Sequence, residues 1–409
     1  MQNRKFTLEN QNKDKEFLGS SQRFLLSNNI RINSKLQDNQ WGQFDDDWII
    51  PIAEIPEEFR TERKYENYIL AKQEEREQKI ILKSKPYHFH IEPTNICNLR
   101  CPLCSTGVDA KTRKKSILTF KNFKKLIDNI KDVTLLISLQ NWGEPTLVQD
   151  LPKMIRYAAD ARIFTRMSTN FSIDYTDEYF EELMKSGLGR LVIDVDGTTQ
   201  EVYEKYRVKG NLDTVINNTI RAVKLKKENH LKFPIIQLRM LVTKKNEHQI
   251  EDFKKLAKKL HADEIELGNI QLDPNTAAEE WLPQNKKYVY NTYLGEQVTT
   301  PCHWPWTGFV INSDGGVSSC AIVDDQNADF GNIFESDIME IWNNEYYQSA
   351  RTTWSKGEKR SKTTICNICK NDTHNKRLLR VGNTFSLTLN KNVSFSKQQN
   401  HEKPKIKKL

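Results

Sequence analysis

A chain of 409 residues, with 62 Lys and Arg interspersed among 54 Asp and Glu for a net charge of +8, has room for two to three domains, and its mixed surface argues against a nucleic-acid-binding stripe. No stretch approaches the ~18 consecutive apolar residues of a membrane span, and the leading MQNRKFTLENQNKDKEFLGS lacks the apolar core of a signal peptide, so a cytoplasmic protein is expected. The seven cysteines are odd in number and several are closely spaced, which favours metal ligation over disulfides.

Residues 1–85 form an extension without cysteine, rich in Asn, Gln, Lys and Glu up to about residue 40. A hydrophobic stretch, WIIPIAEIP, and a charged helical pattern over 57–83 follow, expected to pack on the outside of the main domain. From residue 86 strands and helices alternate. Strands are expected over 87–94, 132–140, 163–170, 190–197, 233–243 and 264–270, with helices over 118–131, 151–161, 176–187, 212–228 and 248–261. Six such units imply parallel pairing through helical crossovers, and the repeat stops after residue 270. The expected fold is α/β, a partial TIM-like (β/α)6 barrel over 86–295, with a doubly wound sheet as the alternative. A smaller unit over 296–380 carries a hairpin with Asp-Gly-Gly at its turn (308–320) and a helix over 335–354; residues 381–409 are a basic tail expected to be disordered.

The stretch CNLRCPLC sets Cys97, Cys101 and Cys104 at the spacing C-x3-C-x2-C just after the first strand, at the sheet end that carries active sites in parallel folds. Three thiolates there can hold three irons of a 4Fe–4S cluster and leave the fourth iron open. A three-cysteine zinc site is the alternative on spacing alone.

These residues resemble the signature of the radical SAM superfamily, including the hydrophobic Leu103 before the last cysteine. The resemblance implies that the open iron binds S-adenosyl-L-methionine, which is reductively cleaved to a 5′-deoxyadenosyl radical that abstracts a hydrogen atom from the substrate. NWGEP (141–145) resembles the family's Gly-Gly-Glu-Pro motif, with Trp142 in place of the first glycine and Gly143 and Glu144 kept. Ser168, Thr169 and Asn170 end the third strand, where the family places contacts to the cofactor. DGTTQEVYEKYRVKG resembles the segment after its fourth strand, with Arg207 matching an arginine that pairs with the cofactor carboxylate. Asp194 and Asp196 share one strand face, as do His88, His90 and Glu92, which suggests a wet pocket; Glu92 or Asp196 is a candidate base.

Cys302, Cys320, Cys366 and Cys369 supply four further sulfurs, suited to zinc or to an iron–sulfur cluster. Their surroundings resemble the SPASM/Twitch domain that follows many radical SAM barrels, which implies one auxiliary 4Fe–4S cluster that accepts an electron from the substrate radical. The expected function is therefore a radical SAM oxidoreductase acting on a small molecule such as a sugar or amino sugar. A peptide-modifying maturase is the alternative, and a zinc-stabilised nucleic-acid-binding protein the alternative of another class. An electron donor such as flavodoxin or ferredoxin is the expected partner, with neither nucleic acid nor membrane.

Overall fold

The computed structural model describes residues 55–110, 112–272, 277–289, 302–353, 362–368 and 385–388. After helix α1 (Glu62–Arg76) come β1 (His88–Ile91), α2 (Phe120–Ile130), β2 (Leu136–Ser138), α3 (Leu151–Asp160), β3 (Phe164–Thr169), α4 (Asp177–Lys185) and β4 (Arg190–Asp194). Two helices, α5 (Gln200–Tyr206) and α6 (Leu212–Glu228), lead to β5 (Ile235–Val242), α7 (Ile250–Lys259) and β6 (Glu264–Asn269). The remainder holds α8 (Ala278–Trp281), α9 (Trp304–Thr307), β7 (Gly308–Ile311), β8 (Val317–Ser318), α10 (Ile338–Trp342), α11 (Glu345–Thr352), α12 (Ile365–Ile368) and β9 (Phe385–Thr388).

The expected strand–helix alternation is present, and the sheet runs β8-β7-β1-β2-β3-β4-β5-β6-β9. Pairing is parallel from β7 through β6, with Phe89 opposite Ile137 and Phe309, and Asp194 opposite Arg239. A doubly wound order is ruled out, because β1 to β6 follow one another edge to edge as in a partial TIM-like barrel. The hairpin of the C-terminal unit is not a separate layer: β7 extends the same sheet alongside β1.

Alternation divides each strand between two environments. Phe89, Ile91, Ile137, Met167, Ile193, Leu238 and Met240 join Phe123, Ile127, Met154, Phe180, Leu183 and Phe253 of the surrounding helices in one apolar core. The opposite faces turn into the barrel and are polar: His88, Ser138, Arg166, Arg190, Asp194 and Gln237 are buried, and Arg239 is half-buried.

The described part of the extension, from residue 55, packs against the main domain at one end of the barrel. Ile55, Phe59, Tyr68 and Ala71 pack with Tyr87, Leu135, Leu136 and Phe164, so α1 and the turn before it close the N-terminal end of the barrel. The single helix expected over 335–354 is two, broken at Asn343 and Asn344. Asn344 accepts from the backbone N–H groups of Tyr346 and Tyr347 and so starts α11 afresh, while Asn343 exchanges hydrogen bonds with the backbone of Leu82. Of the tail expected to be disordered over 381–409, Phe385–Thr388 is instead strand β9, paired antiparallel with β6, and its other residues, like 1–54, lie outside the described residues. No described helix is long and apolar enough to cross a membrane.

Candidate active site

The loop after β1 gathers Cys97, Cys101 and Cys104 into one apolar nest with Leu99, Leu103, Tyr206, Ile270 and Leu272. Burial pushes the Cys97 thiol up to about 11 and that of Cys101 up to about 12, so neither is a thiolate at neutral pH without a cation beside it. The turn is tight: a Cβ on Gly107 would lie 2.2 Å from the Cys101 carbonyl oxygen, and the Cys104 N–H donates to that oxygen at 3.2 Å. Asn170, at the end of β3, turns its amide nitrogen to Asn98 Oδ1 (2.9 Å) and towards Cys97 Sγ (3.9 Å).

The NWGEP turn is locked onto this loop. A Cβ on Gly143 would lie 2.0 Å from the Thr94 carbonyl oxygen, which explains the glycine as a close backbone approach. The Glu144 N–H donates to Ile96 O at 2.8 Å. The Glu144 carboxylate is buried and accepts from Thr146 N–H, Thr146 Oγ1, Thr169 Oγ1 and Asn170 N–H. Burial raises its pKa despite those donors. Glu144 thus ties the second loop to the end of β3.

Beside the thiols lies an ion network. Arg207 donates through Nε to Asp196 Oδ2 (2.5 Å) and through Nη2 to Asp194 Oδ2 (3.1 Å). Asp194 also accepts from Ser168 Oγ (3.0 Å) and from Arg239 Nε (2.7 Å), and Arg239 Nη2 reaches Ser168 Oγ at 2.7 Å. Burial acts against the Asp194 carboxylate, but Arg239 and Arg207 outweigh it and hold its pKa below the usual range. At Asp196 burial wins over Arg207 and the pKa is raised. Arg239 escaped the sequence reading. Its signal was the alternation of Gln237 and Arg239 in IIQLRMLV, on the face opposite Ile236 and Leu238.

Glu92 stands just past the end of β1 and is spoken for. Its oxygens accept from the Trp142 N–H (3.1 Å), the Ser313 N–H (3.2 Å) and Ser313 Oγ (2.8 Å), so it braces the loops after β1, β2 and β7. Asp196 accepts from the Leu241 N–H (2.7 Å) as well as from Arg207. Both candidate bases therefore have the bonding of structural braces.

In the C-terminal unit Cys302 and Cys320 share an apolar cluster with Trp304, Val310 and Val323. Cys320 and Cys366 both act electrostatically on the hydroxyl of the buried Tyr347, whose pKa burial raises. Cys302 and Cys320 thus share one small core, Cys366 packs against the main core that holds Tyr347, and Cys369 lies outside the described residues.

Comparison with known proteins bears on both sites. The profile of the radical SAM superfamily matches residues 91–257, and that of an iron–sulfur cluster-binding domain, SPASM, matches residues 302–370. The chain belongs to the radical SAM superfamily. This radical SAM protein is 27% identical over 186 residues to a PqqA peptide cyclase from Bradyrhizobium diazoefficiens, covering 46% of this chain and 47% of that one. It is also 27% identical over 183 residues to an AdoMet-dependent heme synthase from Methanosarcina barkeri, covering 45% and 50%. The matches thus span about half the length of these curated relatives. Among solved structures it is similar to Streptococcus suis SuiB bound to S-adenosylmethionine (TM-score 0.56, 16% identity, 84% of this chain and 79% of that one). SuiB bound to the precursor peptide SuiA matches with a TM-score of 0.54 and 16% identity, over 83% and 79%.

Membership implies S-adenosylmethionine, a catalytic 4Fe–4S cluster and auxiliary iron–sulfur binding in the SPASM domain. The residues fit. The Cys97 and Cys101 thiols, which burial disfavours as thiolates, suit a cationic cluster beside them, and Cys104 lies in the same nest. Among the described residues no three His, Cys, Asp or Glu side chains close on one ion; the sulfurs suit a cluster whose irons are spread over several ångströms.

Proposed function

We propose that this enzyme modifies a peptide by radical SAM chemistry. Cys97, Cys101 and Cys104 would hold the catalytic 4Fe–4S cluster, with Leu103 and Leu99 keeping water from it. Ser168, Asn170, Asp194 and Arg207 would hold S-adenosylmethionine, and Gly143 and Glu144 would shape the turn it lies against. Cys302, Cys320, Cys366 and Cys369 would hold the auxiliary cluster. When loaded, these groups supply a 5′-deoxyadenosyl radical for hydrogen abstraction and an acceptor for the electron left behind; the first electron comes from an external donor such as flavodoxin or ferredoxin.

The observation that carries the reading is the meeting, at one end of the barrel, of the three-thiol nest and the Arg207–Asp194–Ser168 network. Arg207 is held between two carboxylates, so its guanidinium is fixed in orientation before any ligand arrives. The choice of a peptide over a sugar rests on the relatives. The PqqA peptide cyclase is named for a peptide, and the SuiB fold, which covers both units of this chain, has been seen with a precursor peptide.

The test starts with iron and sulfide analysis of the full chain purified without oxygen. About eight irons per chain are expected, and about four when Cys97, Cys101 and Cys104 are all replaced by Ala. Co-expression with short peptides encoded beside its gene should then give a peptide mass change that the triple variant lacks. Turnover of sugars with every peptide unchanged rejects the peptide reading. Unaltered 5′-deoxyadenosine yield in the triple variant rejects the cluster assignment.

A further inference from the structure

The barrel lumen holds a buried cation without a close carboxylate. Four arginines face this region, and three are tightly paired: Arg190 with Glu264, Arg239 with Asp194, and Arg207 with Asp194 and Asp196. Arg166 differs. It is 5% exposed, and among the described residues its guanidinium makes one hydrogen bond, Nη1 to Gln140 Oε1 at 3.3 Å. Its nearest carboxylate is Glu266, at 3.9 Å. Burying an arginine without a close partner is costly, and nature seldom leaves it so.

Register locates the guanidinium. Arg166 lies in the row of Ser138 and Arg190, whereas Gln140 stands two residues past Ser138, the end of β2, and Glu266 lies in the row of Asp194 and Arg239. The side chain therefore rises along the lumen towards the C-terminal end of the strands, to the level of the network beside the thiols. Burial lowers its pKa to about 10, with Arg239 and Arg190 adding repulsion against Glu266, so it stays charged at neutral pH.

We propose that Arg166 receives a carboxylate of the substrate, the side chain of an acidic residue in the peptide, and thereby fixes which residue lies beside the cofactor network. This rests on the peptide reading above for the nature of the ligand, but not for the existence of the site. A guanidinium with most of its five donors unspent matches the planar carboxylate, and the incoming charge supplies the partner that the fold omits.

The test uses the full chain with its clusters, purified without oxygen, and three probes: N-acetyl-glutamate N-methylamide, its glutamine counterpart, and glutarate. Calorimetry should show the glutamate probe binding about tenfold better than the glutamine probe. Arg166→Gln should abolish the preference. Because that variant can lose the fold, Gln140→Glu decides: it supplies the missing carboxylate from within, and should raise the melting temperature while abolishing the preference. Equal binding of glutamate and glutamine probes, or a preference that survives Gln140→Glu, overturns the assignment and leaves the peptide reading untouched. Arg166-dependent binding of glutarate without the glutamate probe keeps the site and rejects the peptide.

Discussion

His88 sits inside the barrel with Nε2 3.2 Å from Ser138 Oγ and its ring beside those of His90 and Trp304. Burial, with Arg166 nearby, pushes its pKa down to about 3, so the folded protein keeps it neutral. The unfolded chain protonates it near pH 6.5, whereas the folded chain does not until about pH 3. Its contribution to stability is thus whole above pH 6.5 and is lost as pH falls towards 3. At pH 5 the loss from this side chain alone is about 2 kcal/mol. Denaturant unfolding of wild type and His88→Gln at pH 7 and pH 5 should therefore show a shallower fall for the variant. An equal fall removes His88 from the account. The same face of β1 shows what alternation can and cannot reveal. His88, His90 and Glu92 were legible as one polar row. That Glu92 leaves the strand at Ile91 and spends itself on Trp142 and Ser313 depended on β7, more than two hundred residues away.

At the scale of elements, the repeating units were readable because each buries an apolar face against one shared core, and helix α6 occupies the expected 212–228. Helix α1 was readable as a helix but not as a lid. Its buried face includes Lys64, Lys72 and Glu74, which hide the apolar stripe by which such a face is recognised. Each is satisfied by a partner that sequence does not reveal. Lys64 donates to the Arg162 carbonyl, and burial brings its pKa down to about 7; Lys72 pairs with Glu75 at 2.8 Å; Glu74 accepts from the N–H groups of Lys83 and Ser84. Tyr68 is the apolar anchor, fully buried and edge-on to Tyr87 with ring centroids 5.0 Å apart. Tyr68→Ala should cost about 3 kcal/mol or more in stability. Because α1 closes the end of the barrel away from the thiols, affinity for S-adenosylmethionine should stay within about twofold, a binding difference under 1 kcal/mol. Thermal unfolding and anaerobic calorimetry check the two halves. A large loss of affinity with little loss of stability would contradict the lid role.

Across the whole molecule, the barrel and the C-terminal unit are joined by more than the β1–β7 pairing. Arg113, just past the cysteine loop and 6% exposed, grips Asp314 with Nη1 (2.7 Å) and Asp329 with Nη2 (2.7 Å). Around it Thr112 donates to Asp325, the Ser116 and Ser313 hydroxyls meet at 2.6 Å, and the Trp142 indole N–H reaches the Val323 carbonyl at 3.4 Å. Trp142, the departure from the family's first glycine, thus spans from the turn beside the thiols to the loop after Cys320. Both sulfur sites therefore hang on one seam, and Arg113 is its only cation among the described contacts just named. Removing it leaves two carboxylates facing each other, one of which, Asp329, already has its pKa raised by burial. Arg113→Ala should cost about 3–5 kcal/mol. It should also speed amide hydrogen exchange in both 97–110 and 320–329, while leaving α6 unchanged, since neither loop keeps its fixed partner. Faster exchange on one side alone would mean that the two sites are held independently, each by its own strand, and that the seam does not couple them.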